Sequence, residues 1–285
     1  MSESIFQNSG CVNTILGSMI HLSSFLPVGF PILLNTTLNH KYDVFADIGP
    51  STVPKLQYFG IGTRGCYCTS TGDTAHVKYS PDTRNMDLYS PIPILTLTED
   101  EDRDMSWNQK KQYRLRVVGT DGYVRYYLKK IFWDPDKVQV IQVDSNGAET
   151  EFIFSDGYLY PNVGGAAQIG GAELTSSSRV IVRAIGKCDV TYNELARTMN
   201  LLNTNYVEVS EFGFYSGCEV FVDEYGSVIE GDLPDGDELI PGASCIEATY
   251  VQLAKHKTQL PVTLQGENSS IETTVSFESA NSISI

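Results

Sequence analysis

The chain has 285 residues, a formal net charge of −15 and a charged fraction of only 19%. This length suits one large domain or two smaller ones with their own cores. A strongly acidic chain repels phosphate, so we expect no nucleic-acid partner. The polar but weakly charged composition is typical of β-rich proteins that bury surface against other subunits, and equally of an ordinary soluble β domain.

The first residues favour neither a signal peptide nor a membrane helix. Residues 1–4 carry no basic side chain, and polar residues and prolines interrupt the apolar run at residues 15–34, whereas a membrane helix needs about 20 mostly apolar residues. We therefore expect synthesis in a reducing cytoplasm and no membrane partner. In that compartment cysteines stay thiols rather than forming disulfides. The expectation covers Cys11, Cys66, Cys68, Cys188, Cys218 and Cys245.

Residues 1–98 are rich in proline and glycine and have only short apolar runs. They predict a loop-rich, extended N-terminal region, either a domain of its own or an assembly arm that reaches a neighbouring subunit. Three glycines in residues 55–67 are expected to interrupt any long strand. The segment at residues 60–65 superficially resembles a phosphate-binding loop, but it lacks the Gly-Lys-Ser/Thr ending and predicts a tight chain path instead.

Residues 99–264 predict an antiparallel β domain with one helix of clear periodicity. Alternating segments at residues 113–118, 123–132, 138–143 and 151–154 are separated by turn signals at residues 121–122, 134–136 and 145–147, a pattern typical of a meander or sandwich. Residues 98–104 predict either a short helix capped by Thr98 or a solvated loop. Residues 163–171 predict a surface loop.

The helix is predicted at residues 191–202, where Leu195, Met199 and Leu202 share one face. Asp189 or Thr191 is placed to cap its start. Residues 265–285 form a Ser/Thr-rich C-terminal tail. This tail predicts either a final strand or a segment that a partner orders.

The most informative segment is Val-Ser-Glu-Phe-Gly-Phe-Tyr-Ser-Gly at residues 209–217. It predicts a strand that turns at Gly217 into a second strand at residues 218–222. Gly213 has no side chain where two backbones approach closely, and its neighbours Phe212 and Phe214 point to one face of the strand. The hairpin builds a surface rather than a catalytic centre. The candidate assembly residues are Glu211, Phe212, Gly213, Phe214 and Tyr215.

The sequence offers few other candidates for a chemical site. Cys66, Cys68 and His76 offer three zinc ligands where a structural site normally needs four, so buried thiols are favoured. Four acidic residues at positions 232, 235, 237 and 238 lack the spacing of a calcium loop. Basic residues at positions 110–116 and 125–130 predict solvated strand faces rather than a local anion-binding patch. We expect no catalytic residue, no cofactor and no metal.

Three segments carry a resemblance to a known class of protein. Residues 209–217 resemble a signature of Ser, Glu, an aromatic or aliphatic residue, Gly, an apolar residue and Tyr. Residues 246–257 resemble an Ala-x-Tyr-x-Gln-Leu-Ala-x-His-basic segment, and residues 56–65 resemble a third element. All three are similar to parts of tailed-bacteriophage virion structural proteins of the tail and baseplate type. The resemblance brings no active-site residue with it.

The resemblance implies a structural component of a phage particle. It favours the baseplate or tail over the neck or capsid. Its partners would be other virion structural proteins, and it would act by symmetric subunit assembly. It would be located in the virion after synthesis in the host cytoplasm. A receptor- or carbohydrate-binding module at the tail tip is the alternative. An enzyme such as a wall hydrolase would need paired carboxylates or a metal set in a cleft, which the sequence does not display.

Overall fold

The computed structural model describes most of the chain from residue 84 onward and shorter pieces before it. The described residues are 11–13, 38, 42, 54–64, 66–68, 75–77, 84–143, 146–155, 158–161, 179–223, 225, 227–229, 241–267 and 269–282.

Sixteen strands and three helices are found in these residues. In chain order the strands are β1 (Cys11–Asn13), β2 (Lys55–Gly62), β3 (Cys66–Cys68), β4 (Ala75–Val77), β5 (Pro91–Ile92), β6 (Leu95–Thr98), β7 (Tyr113–Val118), β8 (Tyr123–Lys130), β9 (Phe132–Val143), β10 (Glu149–Ser155), β11 (Tyr158–Pro161), β12 (Arg179–Thr191), β13 (Val207–Val222), β14 (Val228–Ile229), β15 (Cys245–Leu264) and β16 (Ser270–Ser282). The helices are α1 (Glu99–Asp104), α2 (Trp107–Lys110) and α3 (Tyr192–Leu201).

The predicted mainly β, antiparallel class is confirmed. A nine-stranded sheet has the order β1-β15-β13-β2-β8-β6, with β14 on β13, β5 on β2 and β7 on β8. A five-stranded sheet has the order β11-β10-β9-β12-β16, and β3 and β4 form a two-stranded ribbon. Every pair whose register is described is antiparallel. The tail predicted as a strand or a partner-ordered segment contains strand β16.

The chain divides into two compact units that differ from the predicted boundaries at residues 98 and 264. One unit comprises Met1–Ile131 and Asp189–Ile271, and the other comprises Phe132–Cys188 and Glu272–Ile285. The physical reason is the place of β2, which lies between β13 and β8 in the nine-stranded sheet. A strand from the N-terminal third therefore belongs to the same sheet as strands more than 60 residues further along the chain.

The predicted hairpin at Gly217 is wrong. Strand β13 runs without a turn for 16 residues, through Gly213 and Gly217. A Cβ atom at Gly217 would lie 3.1 Å from the Thr249 carbonyl oxygen and 3.1 Å from the Tyr58 ring. Gly217 thus serves a close approach inside the sheet, where a turn was predicted from its lack of a side chain.

Two further predicted breaks are also strands. Residues 134–136, predicted as a turn, lie within β9, which spans 12 residues. The glycines expected to interrupt residues 55–67 do not stop β2 from forming an eight-residue strand that includes Gly60 and Gly62. In β2, pairing with β13 on one side and with β5 and β8 on the other outweighs the weak local preference of glycine.

The helices bear out the predicted caps. Thr98 caps α1 and Thr191 caps α3, each in a capping box completed by a glutamate three residues later, Glu101 and Glu194. Leu195 and Met199 are buried as predicted, but Leu202 is 55% exposed because it follows the last turn of α3. In the part of the chain that the structure describes, no helix is long and apolar enough to span a membrane.

The core of the larger unit lies on the nine-stranded sheet. One cluster is built around Tyr58 on β2, Leu128 on β8, Tyr215 on β13 and Leu253 on β15, together with Leu88 from residues 84–90. This arrangement brings residues 84–90, called the strap below, onto the same strands that carry the three segments singled out in the sequence.

Candidate functional site

The three segments that carry the sequence resemblance form three neighbouring strands. Residues 56–65 largely form β2, residues 209–217 lie in β13, and residues 246–257 lie in β15. Strand β13 is in the middle, and Gly213 is directly opposite Gly60 on one side and His256 on the other. Segments far apart in the sequence thus make one continuous piece of sheet.

The Glu211 side chain holds this sheet to the strap. Its Oε1 accepts a hydrogen bond from the Tyr89 backbone N–H at 3.0 Å, and its Oε2 accepts from the backbone N–H groups of Ser90 at 3.1 Å and Arg64 at 3.2 Å. The side chain is 0% exposed. A buried carboxylate requires several donors, and here most of them are main-chain groups.

His256 completes the environment of Glu211 from strand β15. Its Nε2 lies 3.2 Å from Glu211 Oε1, and its Nδ1 lies 2.7 Å from Asn85 Nδ2. The Tyr89 ring is packed against the imidazole with centroids 5.1 Å apart. If Asn85 donates to Nδ1, the imidazole donates from Nε2 to Glu211, so each side chain has a matched partner. The chain Glu211–His256–Asn85 therefore links strands β13 and β15 to the strap.

Gly213 is needed because of Tyr215. A Cβ atom at Gly213 would lie 2.6 Å from Cε2 of the Tyr215 ring. The ring cannot easily move away, since Tyr215 is 1% exposed and its hydroxyl donates to Asp87 of the strap at 3.1 Å. Burial first, and then the Asp87 carboxylate, raise the pKa of Tyr215 well above its ordinary value, so the hydroxyl remains a donor.

The segment at residues 246–257 contains two bulges in β15. Thr249 is opposite Cys218, and Gln252 is opposite Ser216. The two residues between them on β15, Tyr250 and Val251, therefore face the single residue Gly217 on β13, and Tyr250 has a φ of 54°. Ala254 is the extra residue of the second bulge. Bulges bend a strand and re-aim its side chains. The segment at residues 246–257 therefore contains two irregularities of strand β15.

Two of the basic residues predicted to form solvated faces, Arg114 and Lys129, are buried and paired with carboxylates, so the prediction is corrected for these two. Arg114 has a fully buried side chain, and its Nη2 lies 2.7 Å from Glu219 Oε1. Lys130 reaches the same carboxylate at 3.1 Å. Burial would raise the pKa of Glu219, but the charges of Arg114 and Lys130 outweigh it and hold that pKa below its ordinary value.

A second basic residue in the predicted face is buried in the same way. Lys129 is 6% exposed, and its Nζ lies 3.0 Å from both Asp189 Oδ2 and Glu194 Oε1. The partners of these lysines and of Arg114 are 60 or more residues away along the chain. No local pattern reveals such pairs.

Glu247 is a carboxylate clamp that sequence reasoning missed. Its Oε1 accepts from the backbone N–H groups of Leu115 at 2.7 Å and Ala248 at 2.9 Å, and its Oε2 accepts from Arg116 at 3.2 Å. Leu115 has φ 57°, a conformation that costs energy outside glycine. Glu247 thus joins β15 to the edge of β7 at a strained residue. Burial raises the pKa of Glu247, and its backbone donors offset only part of that rise.

The remaining candidates divide between described and undescribed residues. Cys188, Cys218 and Cys245 are thiols. The side chains of Cys66, Cys68 and His76 lie outside the described part, although Tyr67 and His76 are paired between β3 and β4. The acidic residues at 232–238 and the loop at 163–171 also lie outside it. Within the described residues, no group of three or more His, Cys, Asp or Glu side chains is placed to hold a metal ion.

All five candidate assembly residues are buried within the chain itself. Glu211 is 0% exposed, Phe212, Phe214 and Tyr215 are each 1% exposed, and Gly213 is also buried. In this conformation they present no side chain to a partner. Any influence they have on assembly acts through the shape of the β2–β13–β15 sheet and the strap. Asn85 and Tyr89 belong to the same network, and nothing in the sequence around them marks them.

Comparison with known proteins gives one match, to a protein family. No curated protein and no solved structure matches the chain. A family of unknown function, DUF7208, matches residues 1–231, which include β2, the strap and all of β13. The chain belongs to the DUF7208 family.

Proposed function

We propose that the chain is a structural component of a tailed-phage particle, in the tail or baseplate, and that it acts by assembling with other virion proteins. The observation that carries the proposal is the meeting of the three resembling segments in β2, β13 and β15, with Gly213 opposite both Gly60 and His256. Pieces that share a resemblance and a place in the fold are better explained as one structural unit than as three chance matches.

The chemistry of this unit supports a structural role. The polar groups of Glu211 and His256 are bonded to each other, to the strap and to the backbone after β2. Both side chains are 0% exposed, so a substrate could reach them only if the strap moved away. The hydrogen bonds of the network fix the position of the strap. A fully satisfied buried network makes a structure rigid, and a rigid surface suits a subunit that contacts its neighbours in one defined way.

The proposal is tested by the mass and symmetry of the purified chain. Native mass spectrometry and negative-stain electron microscopy should find a closed symmetric oligomer, because subunits of particles assemble through repeated interfaces. A monomer at micromolar concentration that binds glycans on an array would favour the receptor-binding alternative and contradict assembly as the primary role.

A further inference from the structure

The first bulge of β15 places a group of polar side chains on one face of the sheet. Directly opposite residues of an antiparallel pair share a face, so Ser216 is beside Gln252 and Cys218 is beside Thr249. Ser216 and Cys218, two residues apart on β13, also share that face. Thr249 and Gln252 are three residues apart and would point to opposite faces of a regular strand, but the bulge at Tyr250 brings them together.

Three atoms of this group have no hydrogen-bond partner within the described part of the chain: Ser216 Oγ, Thr249 Oγ1 and Gln252 Nε2. Ser216 and Thr249 are 0% exposed, and Gln252 is 4% exposed. Native proteins rarely leave such groups unsatisfied, because desolvation without a hydrogen bond is costly. A fourth atom of this kind, Thr258 Oγ1, lies opposite Glu211 and away from the group.

We propose that Ser216, Thr249 and Gln252 form a cradle for one ordered water molecule. The Gln252 amide donates, and each hydroxyl can donate or accept, so one water can satisfy all three side chains. Buried waters typically make about three hydrogen bonds to otherwise unsatisfied groups. Bulk solvent and partner proteins do not reach a cradle that is 0–4% exposed, which favours a single small polar ligand over any larger one. The water joins β13 to β15 at the bulge.

The sign of a stability change tests the proposal. Thr249→Val keeps the side-chain shape and removes only the hydroxyl. If the hydroxyl binds the water, the variant should lower the thermal midpoint of the full chain by roughly 2–4 °C. If the hydroxyl has no partner, removing it relieves an unpaired polar group, and an unchanged or raised midpoint would overturn the proposal. Thr198→Val is the matched control, because Thr198 Oγ1 has a defined partner, Thr96 Oγ1, at 2.9 Å.

A crystal structure with ordered solvent gives the direct answer. We expect a water oxygen within about 2.7–3.2 Å of at least two of the three atoms. Direct hydrogen bonds that close the cradle without water, or a side chain from a second copy filling it, would each overturn the assignment.

Discussion

The Tyr215 ring lies against Gly213, two residues earlier on the same strand, so closely that a Cβ atom at Gly213 would come within 2.6 Å of Cε2. The ring is fixed at its other end by the Asp87 carboxylate of the strap. This contact explains why a glycine stands two residues before Tyr215 in strand β13. Glycine at position 213 makes room for the tyrosine that connects β13 to the strap.

Substitution at Gly213 should therefore destabilise the chain. We predict that Gly213→Val costs about 1–3 kcal/mol, as expected for overpacking a tight site, in urea unfolding followed by circular dichroism. Gly60→Val is the matched comparison and should cost less, because Gly60 is directly opposite and its Cβ would meet nothing nearer than 3.2 Å. Equal stability of Gly213→Val and the natural chain would contradict the packing described.

Loss of the Glu211 carboxylate should loosen the strap. Glu211→Gln keeps the shape but replaces one acceptor oxygen with an N–H₂ group that faces backbone donors. We predict a cost of about 1–3 kcal/mol and faster amide exchange at residues 84–90, measured by hydrogen–deuterium exchange. Glu208→Gln, at an exposed position of the same strand, should change neither. Unchanged protection of the strap in Glu211→Gln would show that its other contacts, such as Leu88 packing and the Asp87–Tyr215 hydrogen bond, are enough to hold it.

Glu219 should stabilise the fold in a pH-dependent way. Its folded-state pKa is lowered, since Arg114 and Lys130 outweigh the effect of burial. A carboxylate of this kind contributes its full stability above the unfolded-state pKa, about 4.5, and loses it as the pH falls through the folded-state value. We predict that Glu219→Gln costs about 3–5 kcal/mol at pH 7, because Arg114 is left buried without its partner. The difference from the natural chain should shrink below pH 4.5.

Glu247 should show the opposite pH dependence. Burial raises its folded-state pKa above the unfolded-state value of about 4.5, so its contribution is fully present below that value and is lost as the pH rises through the folded-state pKa. The stability of the natural chain relative to Glu247→Gln should therefore increase as the pH is lowered from 7 toward 4.5. Urea unfolding at several pH values measures both slopes, and slopes of the same sign for the two variants would contradict these assignments.

The sequence was sufficient to predict the elements whose signals are local. The antiparallel β class follows from alternation, and Thr191, one of the two predicted caps, starts α3 in a capping box that lies within four residues. The same kind of reasoning predicts a turn at Gly217, and there it is wrong. Local sequence does not distinguish a glycine needed for a turn from one needed for the close approach of β15 and Tyr58.

The candidate site was predicted only in part. Glu211 and Gly213 stand out in the sequence because an acidic residue and a glycine are unusual in an apolar strand, and their role in assembly stays a prediction. The contacts of Glu211 with His256, 45 residues away, and of His256 with Asn85, 171 residues away, form only in the folded chain. The pairing of Arg114 with Glu219, 105 residues away, was missed for the same reason.

The composition of purified particles tests the central claim most directly. The full chain should be expressed with an epitope tag in infected or induced host cells, and tailed particles should be separated by density gradient and analysed by quantitative mass spectrometry. We predict that peptides of the chain sediment with the particles in a fixed ratio to other tail proteins. A chain that remains in the soluble fraction, with no peptides in intact particles, would contradict the proposal that it is a virion component.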